Sequence, residues 1–364
     1  MYLERLFLMN YRNVEQADLQ FSPKMNCLTG LNGMGKTNIM DAIHFLSFCK
    51  SSLAQTEAQI VRHGSECMML NGRYQAEGGD VASISCSLKA QGRKQFLRDN
   101  KEYRKFSDHI GLIPLVMVSP ADSRLILGGS EERRRFLDMV ISQYDNEYLG
   151  HLIDYNKAMA QRNALLKSDS NDGSGQFDIW EDMMDCHASF IYNRRKEFTA
   201  GLVPVFQRLY SGIGATDEVV GLSYTSHCSE GRLSDMLRQS RPKERILGYS
   251  SHGIHKDELE MTLCGYSLRR EGSQGQGKSY IVALRLAQYL YLAGACNGRK
   301  PIMLLDDLFD KLDPQRVERI LRLLAGDDFG QIFITDVYEE HLTRLLQSMS
   351  YDFKIFRIKD GEAL

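Results

Sequence analysis

Apolar residues recur along this chain in different rhythms, and each rhythm predicts a different element. "LFLM" (Leu6 to Met9) and "MNCL" (Met25 to Leu28) are apolar runs of strand length, the second feeding straight into a glycine-rich turn. After that turn Ile39, Ala42, Ile43 and Leu46 fall at i, i+3, i+4 and i+7, the spacing of one helical face. Strand-like segments such as "ASISCSLKA", separated by glycines, predict a meander between Gly64 and Lys105. From about Arg124 to Gly248 the rhythm lengthens to helical periods with few strand signals. Two helical runs, Asn146 to Lys167 and Asp178 to Tyr210, flank the polar tip "SDSNDGSGQ" near 168–176. So short a tip predicts an antiparallel helical hairpin, reaching ~30 Å at 1.5 Å per residue. Strand signals return in "PIMLLDD" from Pro301 and "QIFITD" from Gln331. The expected architecture is therefore α/β. One lobe is built from 1–122 and 249–364, with a mostly helical lobe, 123–248, inserted between them.

Length and composition narrow the function classes. At 364 residues the chain exceeds one typical domain, and 43% hydrophobic with 25% charged residues suits a soluble globular protein. With 45 basic and 47 acidic side chains the net charge is −2, so a polyanionic partner must meet a local basic patch. The eight cysteines are scattered with no CxxC pair, which disfavours a zinc site and a disulfide scaffold and predicts free thiols in a reducing compartment. "MYLERLFLMNYRN" has charges within its apolar run and no cleavage pattern, so no signal peptide is expected. "LIPLVMV" is far too short to cross a bilayer. These readings predict a soluble cytoplasmic protein with no membrane partner.

The first candidate chemistry is "GLNGMGKT": Gly30, Leu31, Asn32, Gly33, Met34, Gly35, Lys36 and Thr37, followed by Asn38. The spacing GxxxxGK[ST] lets backbone N–H groups wrap phosphate oxygens, while the lysine adds a point charge and the hydroxyl binds Mg²⁺. An apolar strand before it and an amphipathic helix after it supply the context, the helix adding its positive end. Such a loop also needs a carboxylate for Mg²⁺. "PIMLLDDLFDKLD" ends an apolar strand in Asp306, the expected metal carboxylate beside Thr37, and in Asp307, placed to activate the attacking water.

Lys36 and Asp306 stand about 270 positions apart, too far for compact GTPases or small kinases. "EGSQGQGKSY" then leads a helical run one helix before the acidic strand. This turn resembles the signature of ABC-type ATPases, in which one subunit caps the γ-phosphate held by another. Ser273 would supply a hydroxyl, Gly275 an unhindered backbone N–H, and the helix N-terminus its positive end, with Gln274 and Gln276 beside them at the nucleotide. "LFDKLD" resembles the loop that follows the acidic pair along a dimer seam. "ITDV" stands where ABC ATPases sense the γ-phosphate, with Asp336 in place of the usual His. Asp307 is one methylene shorter than the usual Glu. Both departures imply slow hydrolysis suited to a switch.

Across essentially its whole length the chain is similar to the RecF family of bacterial recombination-repair proteins. The resemblance rests on "NYRN" (Asn10 to Asn13), "GLNGMGKTNIMDAIHFLSF", "VSPADSRLILGGSEERRRFLD", "QRNALLK", "HGIHKDELE", "SQGQGK" and "LLDDLFDKLD". Ile254 stands where the family shows Pro and Asp41 where it shows Glu. The resemblance implies an ABC-type head with a helical second lobe. It also implies an ATP-driven homodimer that binds DNA at gaps and single-strand/double-strand junctions, and a role with RecO and RecR in loading RecA. It places Arg12, Asn13, Ser119 and Asp122 near the nucleotide. His255, Lys256 and Asp257 fit equally a site or the ordering of a turn. For DNA, "RKQFLRDNKEYRK" (Arg93 to Lys105) mixes basic and aromatic residues, although a charge run is more often a solvated face. Arg133, Arg134 and Arg135 cannot share one helix face, so at least one is expected to pair with a nearby glutamate. The competing classes are a chromosome-tethering SMC-like ATPase, which needs hundreds of residues of coiled coil, and an ABC subunit that does not act on DNA, such as a transporter motor.

Overall fold

The computed structural model describes residues 1–54, 56–76, 79, 81–89, 92–168, 174–213, 218–308, 313–337, 343, 346–347 and 352–363. Two compact units divide the chain. The first is Met1–Asp122 with Gly212–Gly214 and Lys278–Leu364; the second is Ser123–Ser211 with Ala215–Gly277.

The first unit holds two six-stranded sheets. Strands β1 (Tyr2–Tyr11) and β2 (Val14–Gln20) form a hairpin, and β3 (Met25–Thr29) leads into the glycine loop and helix α1 (Lys36–Phe48). Strands β4 (Cys67–Gln75), β5 (Val81–Lys89), β6 (Gln95–Arg98) and β7 (Lys101–Glu102) extend the hairpin into an antiparallel sheet ordered β2-β1-β4-β5-β6-β7. Alternation decides this sheet: along β4 the even positions Met68, Leu70, Gly72 and Tyr74 are buried. The predicted meander supplies four of this sheet's six strands, β4 to β7.

After β8 (Leu115–Val118) the chain leaves for the second unit, with helices α2 (Ser123–Leu127), α3 (Ser130–Ile141), α4 (Asn146–Lys167) and α5 (Ser174–Ile213). Helices α4 and α5 run antiparallel, as His151 meeting His187 and Arg162 meeting Glu181 require. Strand β9 (Val220–Thr225) and helix α6 (Leu233–Leu247) follow. Strand β10 (Glu258–Leu263) pairs with both β9 and β11 (Tyr266–Ser267), and the short α7 (Leu268–Glu271) precedes α8 (Gln274–Ala295). The expected division at 248/249 therefore differs from the unit boundary at Gly277 and Lys278. Residues 258–267 hydrogen-bond into a sheet with β9, a strand that helical periodicity concealed.

Within the first unit β12 (Ile302–Leu305), α9 (Pro314–Leu324), β13 (Ile332–Asp336), β14 (Phe353–Lys359) and β15 (Glu362–Ala363) complete the second sheet, ordered β15-β14-β3-β13-β12-β8. Its pairs are parallel except β14 with β15. Strands β3 and β12 are buried at every position, which is why they read as unbroken apolar runs. Helix α1 touches β1, β4 and β5 of one sheet and β8 and β13 of the other. Sheets on both sides explain why eleven of its thirteen residues are buried. The Gln331 side chain joins the sheets, donating to the carbonyls of Leu3 and Ser22 at 2.8 and 2.9 Å and accepting from the Leu3 amide at 2.8 Å. No helix among the described residues is long and apolar enough to cross a membrane.

Candidate functional site

Because β3, β12 and β13 run parallel, their C-terminal ends share one sheet edge, where open α/β sheets bind ligands. The glycine loop follows β3, the acidic pair follows β12, and Thr335 with Asp336 ends β13.

The loop takes a shape that only its glycines permit. Gly30, Gly33 and Gly35 have φ of 145°, 82° and 108°. A Cβ on Gly30 would lie 2.3 Å from the Ile358 carbonyl oxygen, and one on Gly35 would lie 3.2 Å from the Asn13 side-chain oxygen. Asn13 donates to the Gly33 carbonyl at 3.1 Å and accepts from the Asn38 side chain at 2.5 Å. The Gly361 amide donates to the Met34 carbonyl at 2.8 Å, so residues beyond β14 hold the loop's far side. Leu31 and Asn32 are exposed between these anchors.

Lys36 opens α1 and folds its ammonium back over the loop, donating to the carbonyls of Gly30 at 2.6 Å and Leu31 at 3.0 Å. Burial lowers its pKa from the ordinary lysine value, and the charges of Asp307, Asp306 and Asp336 oppose that shift. The carboxyl of Asp306 is buried, and one oxygen accepts both the Thr37 hydroxyl at 3.1 Å and the Thr335 hydroxyl at 2.9 Å. Desolvation raises its pKa, with the Thr335 and Thr37 hydrogen bonds pulling the other way. Thr335 also accepts from the Asp307 amide at 2.8 Å, which holds Asp307 in the left-handed region at φ 50°. Such a conformation costs a non-glycine residue about 1–2 kcal/mol and persists only where its surroundings enforce it.

Thr335 was not among the residues expected at this site. Its signal was a hydroxyl inside the otherwise apolar run "IFIT", set by parallel register one step beyond the pair Leu305 and Ile334. Asp336 closes β13 opposite Thr29, the last residue of β3. Arg12 also takes a left-handed conformation at φ 53°, and its Nη1 is buried with no hydrogen-bond partner. In the same unit Asp122 accepts from the Ser119 amide at 3.1 Å and from Arg285 at 2.6 and 3.2 Å, so it forms a structural ion pair. Asp41 lies in α1 and accepts from Tyr11, Ser51 and Ser52.

The signature residues belong to the second unit. Ser273 caps α8: its hydroxyl accepts from the Gln276 amide at 3.2 Å, and the Gln276 side chain accepts from the Ser273 amide at 2.8 Å. This reciprocal pair is a capping box, and it makes the turn a built helix start rather than a flexible linker. Ser273 and Gln274 are exposed and Gly275 is half-buried. Of "LFDKLD", residues 309–312 lie outside the described residues, while Asp313 accepts from the Arg316 amide at 3.0 Å at the head of α9.

The segment left open between two readings has structural partners. His255 accepts from Tyr155 at 2.8 Å and donates to the Ser250 carbonyl at 3.0 Å, and burial lowers its pKa to about 4. Asp257 is fully buried against Arg195 at 2.6 Å and Tyr224 at 2.5 Å. Lys256 lies over the Tyr249 ring. These residues order the turn before β10. Of the arginine run, Arg133 pairs with Glu258, Arg134 donates to the Asp257 carbonyl, and Arg135 pairs with Glu131.

The model of the RecF/RecN/SMC N terminal domain matches residues 2–353. The DNA replication and repair protein RecF of Phocaeicola vulgatus is 51% identical over 362 residues, covering 100% of this chain and 98% of the relative. The chain belongs to the RecF family. The protein of the same name from Bacteroides thetaiotaomicron is 52% identical over 361 residues, with 99% and 98% coverage. A solved structure described as the recombination mediator protein RecF-ATP in the RecFOR pathway matches with TM-score 0.88 at 26% identity, covering 100% of this chain and 97% of that one. A Pyrococcus furiosus Smc head domain matches at TM-score 0.60 and 16% identity, a likeness of fold alone. The fold is thus an ABC-type ATPase head with a helical lobe, as the sequence predicted.

Proposed function

We propose that the protein is an ATP-dependent DNA-binding switch of recombinational repair and replication restart, acting in the cytoplasm at the nucleoid. One observation carries the nucleotide half of this reading. A single sheet edge gathers a glycine loop, a lysine ammonium, and a buried carboxylate bridged by Thr37 and Thr335. The loop's three left-handed glycines and the buried, unpartnered Arg12 Nη1 both suit a phosphorylated ligand. Mg²⁺–ATP, when bound, supplies the scissile phosphoanhydride and the metal charge that draws it out.

Every other part of the task falls to the chain. The loop from Gly30 to Gly35 directs backbone N–H groups at phosphate oxygens, Lys36 balances their charge, and Asn38, Asn13 and Arg12 flank them. Thr37 and Asp306, joined at 3.1 Å, would hold the metal when it is bound. Asp307, exposed and fixed by its amide, takes the proton of the attacking water, while Asp336 reads the γ-phosphate position. Aspartates in both places make hydrolysis slow, as a switch requires.

The start of α8, where Ser273 and Gln274 are exposed and Gly275 and Gln276 half-buried, serves a second copy's nucleotide, so ATP drives a homodimer. The dimer binds gapped or junction DNA and works with RecO and RecR to load RecA. This half draws on the RecF relatives, which are named for DNA replication and repair. A tethering role fits poorly, because the α4–α5 hairpin has helices of only 22 and 40 residues. Light scattering with and without ATP and gapped DNA tests the reading. The wild-type chain should double its mass with ATP, and Ser273→Arg should bind ATP yet remain a monomer. A variant that still dimerises would refute the role given to the signature.

A further inference from the structure

The run from Arg93 to Lys105 is not the uniformly solvated face that its composition suggests. Strands β6 and β7 pair Arg98 with Lys101 and Leu97 with Glu102, leaving Asp99 and Asn100 as a two-residue loop. Both loop residues have positive φ, 49° and 65°, the mark of a type I′ turn. The Tyr103 amide continues the ladder to the Phe96 carbonyl at 3.0 Å. This register brings Arg93 and Lys94, which precede β6, across from Arg104 and Phe106, which follow β7.

Those four residues and Glu57 line a pocket of about 200 Å³, several times the ~30 Å³ that a water occupies. Its floor is built. Lys94 is only 8% exposed, donates to the Cys49 carbonyl at 2.8 Å, ion-pairs with Glu57, and lies 4.9 Å from the centre of the Phe106 ring. The Glu57 carboxylate is thereby neutralised. Above this floor Arg93 and Arg104 are both exposed, and neither has an ion-pair partner among the described residues. The Phe106 ring, 37% exposed, completes the rim. The pocket is therefore net positive and partly aromatic, and two of its three cations are uncommitted.

We propose that this pocket grips the backbone of a single-stranded DNA segment, such as the unpaired side of a gap. Arg93 and Arg104 contact successive phosphates and Phe106 meets an unstacked base. Guanidiniums suit phosphate oxygens through their planar paired donors, and an aromatic ring accepts any base by its face. Duplex ends offer phosphates but no free base, so the ring favours single strands. The inference rests on the proposed DNA-binding function and adds where, on one subunit, the strand is held.

The test measures fluorescence anisotropy of the full chain with single-stranded, gapped and blunt duplex DNA across a salt series, with ATP present. Arg93→Ala/Arg104→Ala should lower the slope of log affinity against log salt by about 1.4 for single strands, two contacts at ~0.7 each. Arg93→Lys/Arg104→Lys should keep most of that slope. Phe106→Leu should weaken single-strand binding about tenfold and leave blunt duplex binding unchanged. Thermal melts and ATP binding like wild type in all three variants show that the fold survives; Lys94 is left intact because it is buried. An unchanged salt slope in the alanine variant overturns the pocket alone. A wild-type chain that binds none of the three DNAs overturns the DNA-binding function and the pocket together.

Discussion

Thr335 should be the most sensitive residue at the sheet edge that has no expected contact with nucleotide. Thr335→Val keeps the shape and removes the hydroxyl. The lost bond to Asp306, at 2.9 Å and charge-assisted, is worth about 1.5–3 kcal/mol. The Asp307 amide loses its acceptor at 2.8 Å, adding about 1–3 kcal/mol where it remains dry. Thr37 still donates to the same Asp306 oxygen, which offsets part of the loss. The net expectation is a destabilisation of about 2–4 kcal/mol. The readout must report on the first unit, and the single tryptophan, Trp180, lies in the second. Hydrogen exchange of a peptide spanning β12 and Asp307, together with urea unfolding followed by circular dichroism, meets that need. Thr335→Ser should stay within about 1 kcal/mol of wild type because it keeps the hydroxyl. If the valine variant retains wild-type stability and wild-type protection at Asp307, the hydroxyl is not the link between the two strands.

Lys36→Ala should abolish most ATP affinity, by fluorescent-nucleotide titration, with an unchanged circular dichroism spectrum; undiminished binding would remove the loop from the site. Asp307→Asn should bind ATP and dimerise but turn over far more slowly, and an unstable ATP dimer in that variant would make Asp307 a metal ligand instead. Acid should destabilise the second unit through His255. Its folded pKa, about 4, lies below the ordinary 6.5, so the stabilisation is full above pH 6.5 and is lost as pH falls through 4. Some 2.5 units correspond to about 3 kcal/mol. Trp180 fluorescence in urea should show this slope in wild type and a shallower one in His255→Gln; equal slopes would place the acid sensitivity elsewhere.

Local chemistry was legible in the sequence and distant chemistry was not. The loop from Gly30 to Thr37 and the pair Asp306–Asp307 declare themselves because neighbours in sequence do the work together. So does the α4–α5 hairpin, whose first helix has the predicted bounds Asn146–Lys167. Thr335 was hidden because its role comes from a strand about 30 residues upstream, through parallel register. Asp257 and His255 read as motif residues, yet their partners Arg195 and Tyr155 lie 62 and 100 positions away. Lys94 looked like one more surface cation until Cys49 and Glu57 enclosed it. Strand β9 was missed for a similar reason. Its apolar alternation is weak, and pairing with β10 rather than propensity makes it a strand.

The roof over the phosphate loop bears on the order in which the site folds. Gly30 sits beneath the carbonyl of Ile358, and Gly361 fastens to Met34. The loop and its supports on β12, β13 and β14 are separated by some 270 to 330 residues of chain. Contacts so remote in sequence form late, after a large loop-closure cost. A folding chain therefore holds the glycine loop without its roof until β14 and Gly361 have docked. The loop's shape is thus a late product of folding: the motif alone does not make the site until strands far along the chain have closed over it.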